Sequence, residues 1–106
     1  MRCYYLLLCT CLLAASATAE TPSPARQDEL HNLLLQDCGS CHGMRLTGGL
    51  GPALTPQALQ GKPREQLIAT VSDGRPGTPM PPWKPLLSHS DIAWLVDYMI
   101  GGEKRP

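Results

Sequence analysis

Apolar residues recur at helical spacing in three separate segments of the chain. The first stripe is Leu30, Leu33 and Leu34; the second is Leu67, Ile68 and Val71; the third is Ile92, Leu95, Val96 and Met99. Residues three and four positions apart share one face of a helix. We find no segment with the strict apolar–polar alternation of a strand. The pattern therefore predicts an all-α protein with a first, a middle and a last helix.

The first helix is bounded by clear local signals. Ser23 caps its start and Pro24 suits its first turn. Asp28 and Glu29 lie early in this helix, where the helix dipole favours acidic side chains. We expect the helix to run from about Pro24 to Asp37.

The middle and last helices also contain residues that mark where each helix starts and ends. Pro63 opens the middle helix and Gly74 closes it, whereas Ser88 and Asp91 resemble a capping box that opens the last helix before Gly101-Gly102 ends it. Two loops rich in proline and glycine, residues 43–63 and 75–87, join the helices. The first loop leaves room for one short helical turn near residues 56–60.

The N-terminal segment has a different character. Arg2 precedes an apolar run from Tyr4 to Ala15, and Ala17-Thr18-Ala19 is a small-x-small cleavage site. We expect residues 1–19 to be a cleaved signal peptide and residues 20–106 to form one periplasmic domain. An uncleaved anchor is the alternative, but the run is too short to span a bilayer comfortably, so we expect no stable membrane insertion.

The domain that remains has a thin core and little net charge. Residues 20–106 contain 30 apolar side chains, three aromatic residues and all 21 glycines and prolines. A domain this small usually needs a disulfide, a metal or a cofactor. Its eight basic and nine acidic residues give a net charge of −1, which argues against nucleic acid or an anionic membrane as the main partner.

The motif Cys38-Gly39-Ser40-Cys41-His42 indicates which cofactor the chain binds. C-x-x-C-H is the haem c attachment pattern, since two thiols at this spacing reach the two vinyl groups on one haem edge and the next imidazole reaches the iron. A thioredoxin-like pair lacks a preceding strand, a disulfide leaves His42 without a role, and a zinc site finds only His31 and His89 as further ligands. We expect one covalent haem c.

Met80 is the preferred distal iron ligand. Prolines on both sides fix the backbone around its thioether. The other candidates are less suited: Met44 is tied to the proximal side, Met99 lies on an apolar stripe, His31 shares the helix that carries the motif, and His89 starts a solvent-facing helix turn. A gap-filling methionine is the alternative for Met80.

Pro52 and Trp83 are candidates for contacts around the haem. The Gly51-Pro52 turn can bring the Pro52 carbonyl to the second nitrogen of His42, or it can be an ordinary turn. The Trp83 indole can reach a propionate, or it can be a core residue.

Packing against the first helix is the expected role of Trp94 and Tyr98. Arg75 and Lys84 flank the methionine loop and could pair with propionates or remain surface charges.

These motifs together resemble class I cytochromes c. The resemblance rests on C-G-S-C-H-G at 38–43, G-P-A-L at 51–54, G-T-P-M-P at 77–81 and D-I-A-W-L-V-D-Y at 91–98, and it covers about residues 26–101. It implies three to five helices around one covalent haem, with Cys38 and Cys41 as thioether residues, His42 as proximal ligand and Met80 as distal ligand. The Met-Pro-Pro-Trp loop is similar to that of the small c55X-type cytochromes of nitrite-reductase gene clusters.

The function that follows is electron transfer rather than catalysis. We expect a monomeric electron carrier whose partner is a redox protein, and the narrower resemblance implies cytochrome cd1 nitrite reductase in denitrification. A maturation role for a haem d1 enzyme is one alternative. A peroxidase-like open haem is another, but we find no distal His and Arg pair for it. The chain also has no lysine-rich docking face of the mitochondrial kind.

Overall fold

The computed structural model describes residues 20–102, and the predicted signal peptide lies outside them. The first helix, α1, spans Pro24–Leu33 and starts as predicted, because the Ser23 hydroxyl accepts a hydrogen bond from the Arg26 amide at 3.2 Å. Asp28 and Glu29 lie beyond the first turn, which holds no acidic residue. Glu29 instead accepts a hydrogen bond from the Arg26 guanidinium at 2.7 Å.

The predicted end of the first helix at Asp37 is wrong. The chain passes from α1 into a π-helical segment, Leu34–Cys38, and then into α2, Gly39–His42. Nothing before residue 43 breaks the helix, and Gly43 ends it at a φ of 91° that glycine adopts readily. The C-x-x-C-H motif therefore forms the last turns of this helix rather than following it.

The two middle helices agree with their predicted boundaries. α3 spans Pro56–Leu59, and its cap is Thr55, whose hydroxyl accepts from the Ala58 amide at 3.2 Å. α4 spans Arg64–Asp73 between Pro63 and Gly74.

The last helix, α5, spans His89–Gly101 and begins with a complete capping box. The Ser88 hydroxyl accepts from the Asp91 amide at 3.1 Å, and the Ser88 amide donates to the Asp91 carboxylate at 3.2 Å. Gly102 follows the helix at a φ of 67°. The acidic residue at the third position serves here as the glutamate of the usual box does.

α5 is the centre of the core and packs on α1, α3 and α4. All three predicted apolar stripes contribute buried side chains, and the core comprises Leu30, Leu34, Leu46, Leu59, Ile68, Leu87, Ile92, Trp94, Leu95, Val96 and Met99. Trp94 stacks on Tyr98, which meets His31 of α1 edge to face at 5.3 Å. The predicted packing against the first helix is confirmed for Tyr98. Residues 20–102 contain no strand.

An ion pair joins the starts of α1 and α5. The Arg26 guanidinium donates to both Asp91 carboxylate oxygens, at 2.9 and 3.3 Å, and the Asp91 side chain is only 10% exposed. These hydrogen bonds from Arg26 lower the pKa of Asp91, and the Ser88 amide adds to the effect. A second arginine, Arg64, binds Asp97 of α5, but that pair is exposed.

Within the described part of the chain, no helix has the length and apolar character that crossing a membrane requires.

Candidate haem-binding site

The two motif cysteines are partly buried and are not joined by a disulfide. Cys38 is the last residue of the π-helical segment and Cys41 lies in α2. Burial, together with the negative charge of Asp37, raises the pKa of Cys38 to about 11.

The His42 imidazole is oriented by a carbonyl on the next loop. Its Nδ1 lies 2.7 Å from the Pro52 carbonyl oxygen. A carbonyl only accepts, so Nδ1 carries the proton and Nε2 is the nitrogen with a free lone pair. Metal-bound histidines typically donate their other ring nitrogen in this way. The contact predicted for the Gly51-Pro52 turn is thus present in the structure.

The loop after the motif binds the carbonyls that the helix end leaves unpaired. The Gly48 amide donates to the His42 carbonyl, and the Gly51 amide donates to the Cys41 carbonyl, both at 2.8 Å. These bonds satisfy acceptors at the C-terminus of α2 and draw the loop back over it. Pro52 reaches the imidazole because this loop is closed.

Gly51 permits a close approach to the imidazole. A Cβ at this position would lie 2.8 Å from both Cε1 and Nδ1 of His42, closer than side chains pack. The hydrogen of glycine leaves the ring its position beside the Pro52 carbonyl. Sequence reasoning singled out Pro52 but missed this role of Gly51, for which the adjacent Gly-Pro pair was the available signal.

The loop that carries Met80 is attached to the C-terminal end of α4. The Trp83 amide donates to the Val71 carbonyl at 3.1 Å, and the Lys84 amide donates to the Ser72 carbonyl at 3.2 Å. A Cβ on Gly74 would lie 2.7 Å from the Met80 carbonyl oxygen, so a larger residue would push the loop away. Met80 itself is half-buried. The sequence identified Gly74 as a helix stop but did not reveal this second role.

The structure places the other candidate iron ligands elsewhere. Met99 is a core residue, 5% exposed, whereas Met44 is 56% exposed. His31 contacts the Tyr98 ring, and His89 is exposed in the first turn of α5. The stated objections to Met99 and His89 agree with these positions.

The remaining candidates differ in their surroundings. Trp83 is partly buried and packs against the core. The Lys84 ammonium forms an ion pair with Asp73 at 3.0 Å, so its charge is already partnered. Arg75 is exposed, and its backbone amide donates to the Met80 carbonyl at 3.1 Å.

These residues provide the chemistry that haem c attachment needs. Two thiols on successive turns of one helix end are followed directly by an imidazole whose Nε2 is free to bind metal. A separate loop, held by backbone hydrogen bonds, offers a thioether. Among residues 20–102, no group of three or more His, Cys, Asp or Glu side chains converges as a metal site.

The chain is similar to known proteins in both sequence and structure. The family described as cytochrome c oxidase, cbb3-type, subunit III matches residues 25–99. Cytochrome c55X of Pseudomonas aeruginosa is 69% identical over 87 residues, which cover 82% of this chain and 73% of that protein. The chain belongs to the class I c-type cytochromes, of the c55X type. This identification confirms the expected all-α cytochrome c fold and its cofactor, one covalently bound haem c.

Solved structures place the cytochrome in the same group. The structure of the c-type cytochrome NirC has a TM-score of 0.77 and 69% identity, and the match covers 80% of this chain and 100% of that one. The structure titled "Dihydro-heme d1 dehydrogenase NirN in complex with DHE" has a TM-score of 0.62 and 33% identity. That match covers 71% of this cytochrome but only 16% of the dehydrogenase.

Proposed function

We propose that this cytochrome is a periplasmic single-electron carrier of a nitrite-reductase system, with residues 20–106 as the mature domain. In the proposed site, Cys38 and Cys41 form the thioethers, His42 is the proximal ligand and Met80 is the distal ligand. When bound, haem c supplies a one-electron iron couple, and methionine–histidine ligation raises its reduction potential. The protein's own part is to hold the group, orient its ligands and limit access to it.

The observation that carries the proposal is the way the structure holds the two candidate iron ligands, His42 and Met80. His42 is oriented by the Pro52 carbonyl at 2.7 Å. Met80 lies in a loop that two backbone hydrogen bonds, from Trp83 and Lys84, attach to α4. If both residues bound the iron, they would leave no open position for a substrate, which favours electron transfer over catalysis.

A role beside a haem d1 enzyme is supported by a separate observation. The chain is similar to about a sixth of the dihydro-heme d1 dehydrogenase NirN. A domain of this fold thus occurs within an enzyme named for haem d1 chemistry. We infer that a haem d1 protein is the class of partner, either cytochrome cd1 nitrite reductase or an enzyme that forms its cofactor.

Rapid mixing of the purified haem-loaded protein with each partner tests this proposal. Reduced cytochrome is mixed with oxidised cytochrome cd1 nitrite reductase, and oxidised cytochrome is mixed with dihydro-haem d1 and its dehydrogenase. We expect second-order electron exchange in one of the two assays at about 10⁵–10⁷ M⁻¹s⁻¹, the usual range for protein association. Exchange in neither assay, or peroxide turnover by the isolated cytochrome, would contradict the carrier role.

A further inference from the structure

The methionine loop has almost no backbone donors. Pro79, Pro81 and Pro82 surround Met80, and proline has no amide hydrogen. The Met80 amide is consequently the only backbone N–H between residues 79 and 82. The group that accepts a hydrogen bond from this N–H therefore restrains the peptide between Pro79 and Met80.

The acceptor is the side chain of Thr78. Its Oγ1 lies 3.3 Å from the Met80 amide nitrogen, and the same hydroxyl donates to the Arg75 carbonyl at 2.6 Å. Thr78 thus acts as donor and acceptor at once. It connects Met80 to the turn that begins at Arg75, where the Thr78 amide also donates to the Arg75 carbonyl at 3.0 Å.

The Met80 carbonyl is held from the same turn. It accepts from the Arg75 amide at 3.1 Å. Both polar groups of the Met80 backbone are therefore connected to Arg75 by hydrogen bonds. The carbonyl is bonded to it directly, and the amide is connected through the Thr78 hydroxyl. The hydrogen bond from Arg75 uses backbone atoms only. Of these two hydrogen bonds to the Met80 backbone, a substitution can therefore remove only the one that involves the Thr78 hydroxyl.

We propose that Thr78 is a positioning residue for the distal ligand, whose hydroxyl holds Met80 in the conformation that binds iron. The inference rests on the proposed function, because it takes Met80 as the ligand. Without the hydroxyl, the Met80 amide loses its acceptor and the loop samples conformations in which sulfur is away from the metal. An exogenous ligand then competes more easily for the vacated position.

Two substitutions remove the Thr78 hydroxyl, and a third keeps it as a comparison. Thr78→Val keeps the shape and Thr78→Ala shortens the side chain, while Thr78→Ser retains the hydroxyl. Thr78 is exposed, so none of these changes opens a core cavity. Thr70→Val is the matched control, because Thr70 also donates its hydroxyl to a backbone carbonyl, that of Gln66 at 2.9 Å, but within α4.

The measurements are the affinity of the oxidised haem-loaded protein for imidazole and the near-infrared sulfur-to-iron band. Loss of the two hydrogen bonds of the hydroxyl should raise imidazole affinity by about fivefold or more in both Thr78→Val and Thr78→Ala, with a weaker band. Thr78→Ser and Thr70→Val should stay within about twofold of wild type. A merely structural role would lower the unfolding temperature without changing imidazole affinity.

The results separate this inference from the proposed function. If the wild type shows the band and both hydroxyl-free variants bind imidazole as it does, the positioning role is wrong and Met80 remains the ligand. An equal shift in Thr78→Ser also overturns the role of the hydroxyl. If the oxidised wild type lacks the band, the assignment of Met80 fails, and the inference fails with it.

Discussion

At the scale of single residues, the proposed role of Met80 as distal ligand depends on its position outside any helix. Its loop is fixed by prolines and by hydrogen bonds to α4, whereas Met99 is buried in the core. A thioether favours ferrous iron and raises the potential. Met80→Ala should therefore lower the midpoint potential by tenths of a volt, part of the range of about 0.8 V that axial ligands span.

The same variant should show a changed spectrum. Loss of the sulfur should abolish the near-infrared band of the oxidised protein and let carbon monoxide or cyanide bind, while His42 and the thioethers retain the haem. Met99→Leu and Met44→Leu serve as controls that should keep the band. Loss of the band in Met99→Leu, with its survival in Met80→Ala, would show that another methionine is the ligand.

At the scale of helices, the junction of α1 and α5 depends on Asp91. This carboxylate closes the capping box with Ser88 and binds Arg26. Its pKa is lowered from the ordinary 3.8, so its contribution to stability is present above that value and is lost as pH falls through the lower folded-state pKa. Asp91→Asn should lower the free energy of unfolding by about 1–3 kcal/mol at pH 7.

Denaturant unfolding of the haem-loaded protein between pH 7 and pH 2 measures this effect. The difference between wild type and Asp91→Asn should shrink below about pH 4, because the wild-type carboxyl is protonated first in the unfolded chain and then, at its lower pKa, in the folded protein. Asp97→Asn, which breaks the exposed pair with Arg64, should cost only about 0–1 kcal/mol. A constant difference between Asp91→Asn and wild type at all pH values would contradict the role of the ionised pair.

The helices also show where the sequence was informative. Ser23 and Ser88 predicted two helix starts because a cap acts on amides within its own turn. The π-helical segment Leu34–Cys38 was not predicted, since five residues are too few to reveal a change of period. The contacts of Gly51 with His42 and of Gly74 with the Met80 loop depend on how each loop folds back on the helix before it, which helical periodicity does not encode.

At the scale of the whole molecule, the apolar core is small. Eleven apolar side chains are buried among residues 20–102, in a chain with 21 glycines and prolines. If haem completes this core, Cys38→Ser/Cys41→Ser should lose covalent haem and most of its helicity, as seen by far-ultraviolet circular dichroism. Cys38→Ser alone, which retains one thioether, should be intermediate. A helical, haem-free double variant would show that the polypeptide folds without the cofactor.

The charge of the molecule predicts how it meets its partner. Residues 20–106 carry a net charge of −1, and haem propionates would make this more negative. Electrostatic steering requires a strong field of one sign, and salt screens it over about 8–10 Å. The second-order rate of electron exchange with the partner should therefore change less than about threefold between low and physiological ionic strength.

Short-range contacts would then carry the recognition. Met44, directly after the motif helix, and Leu50, in the loop that folds over it, are exposed apolar side chains at 56% and 93%. Stopped-flow rates at a series of salt concentrations, with the partner in excess, provide the measurement. A fall of tenfold or more would reveal a charged docking face, because apolar contacts of this kind are insensitive to screening by salt.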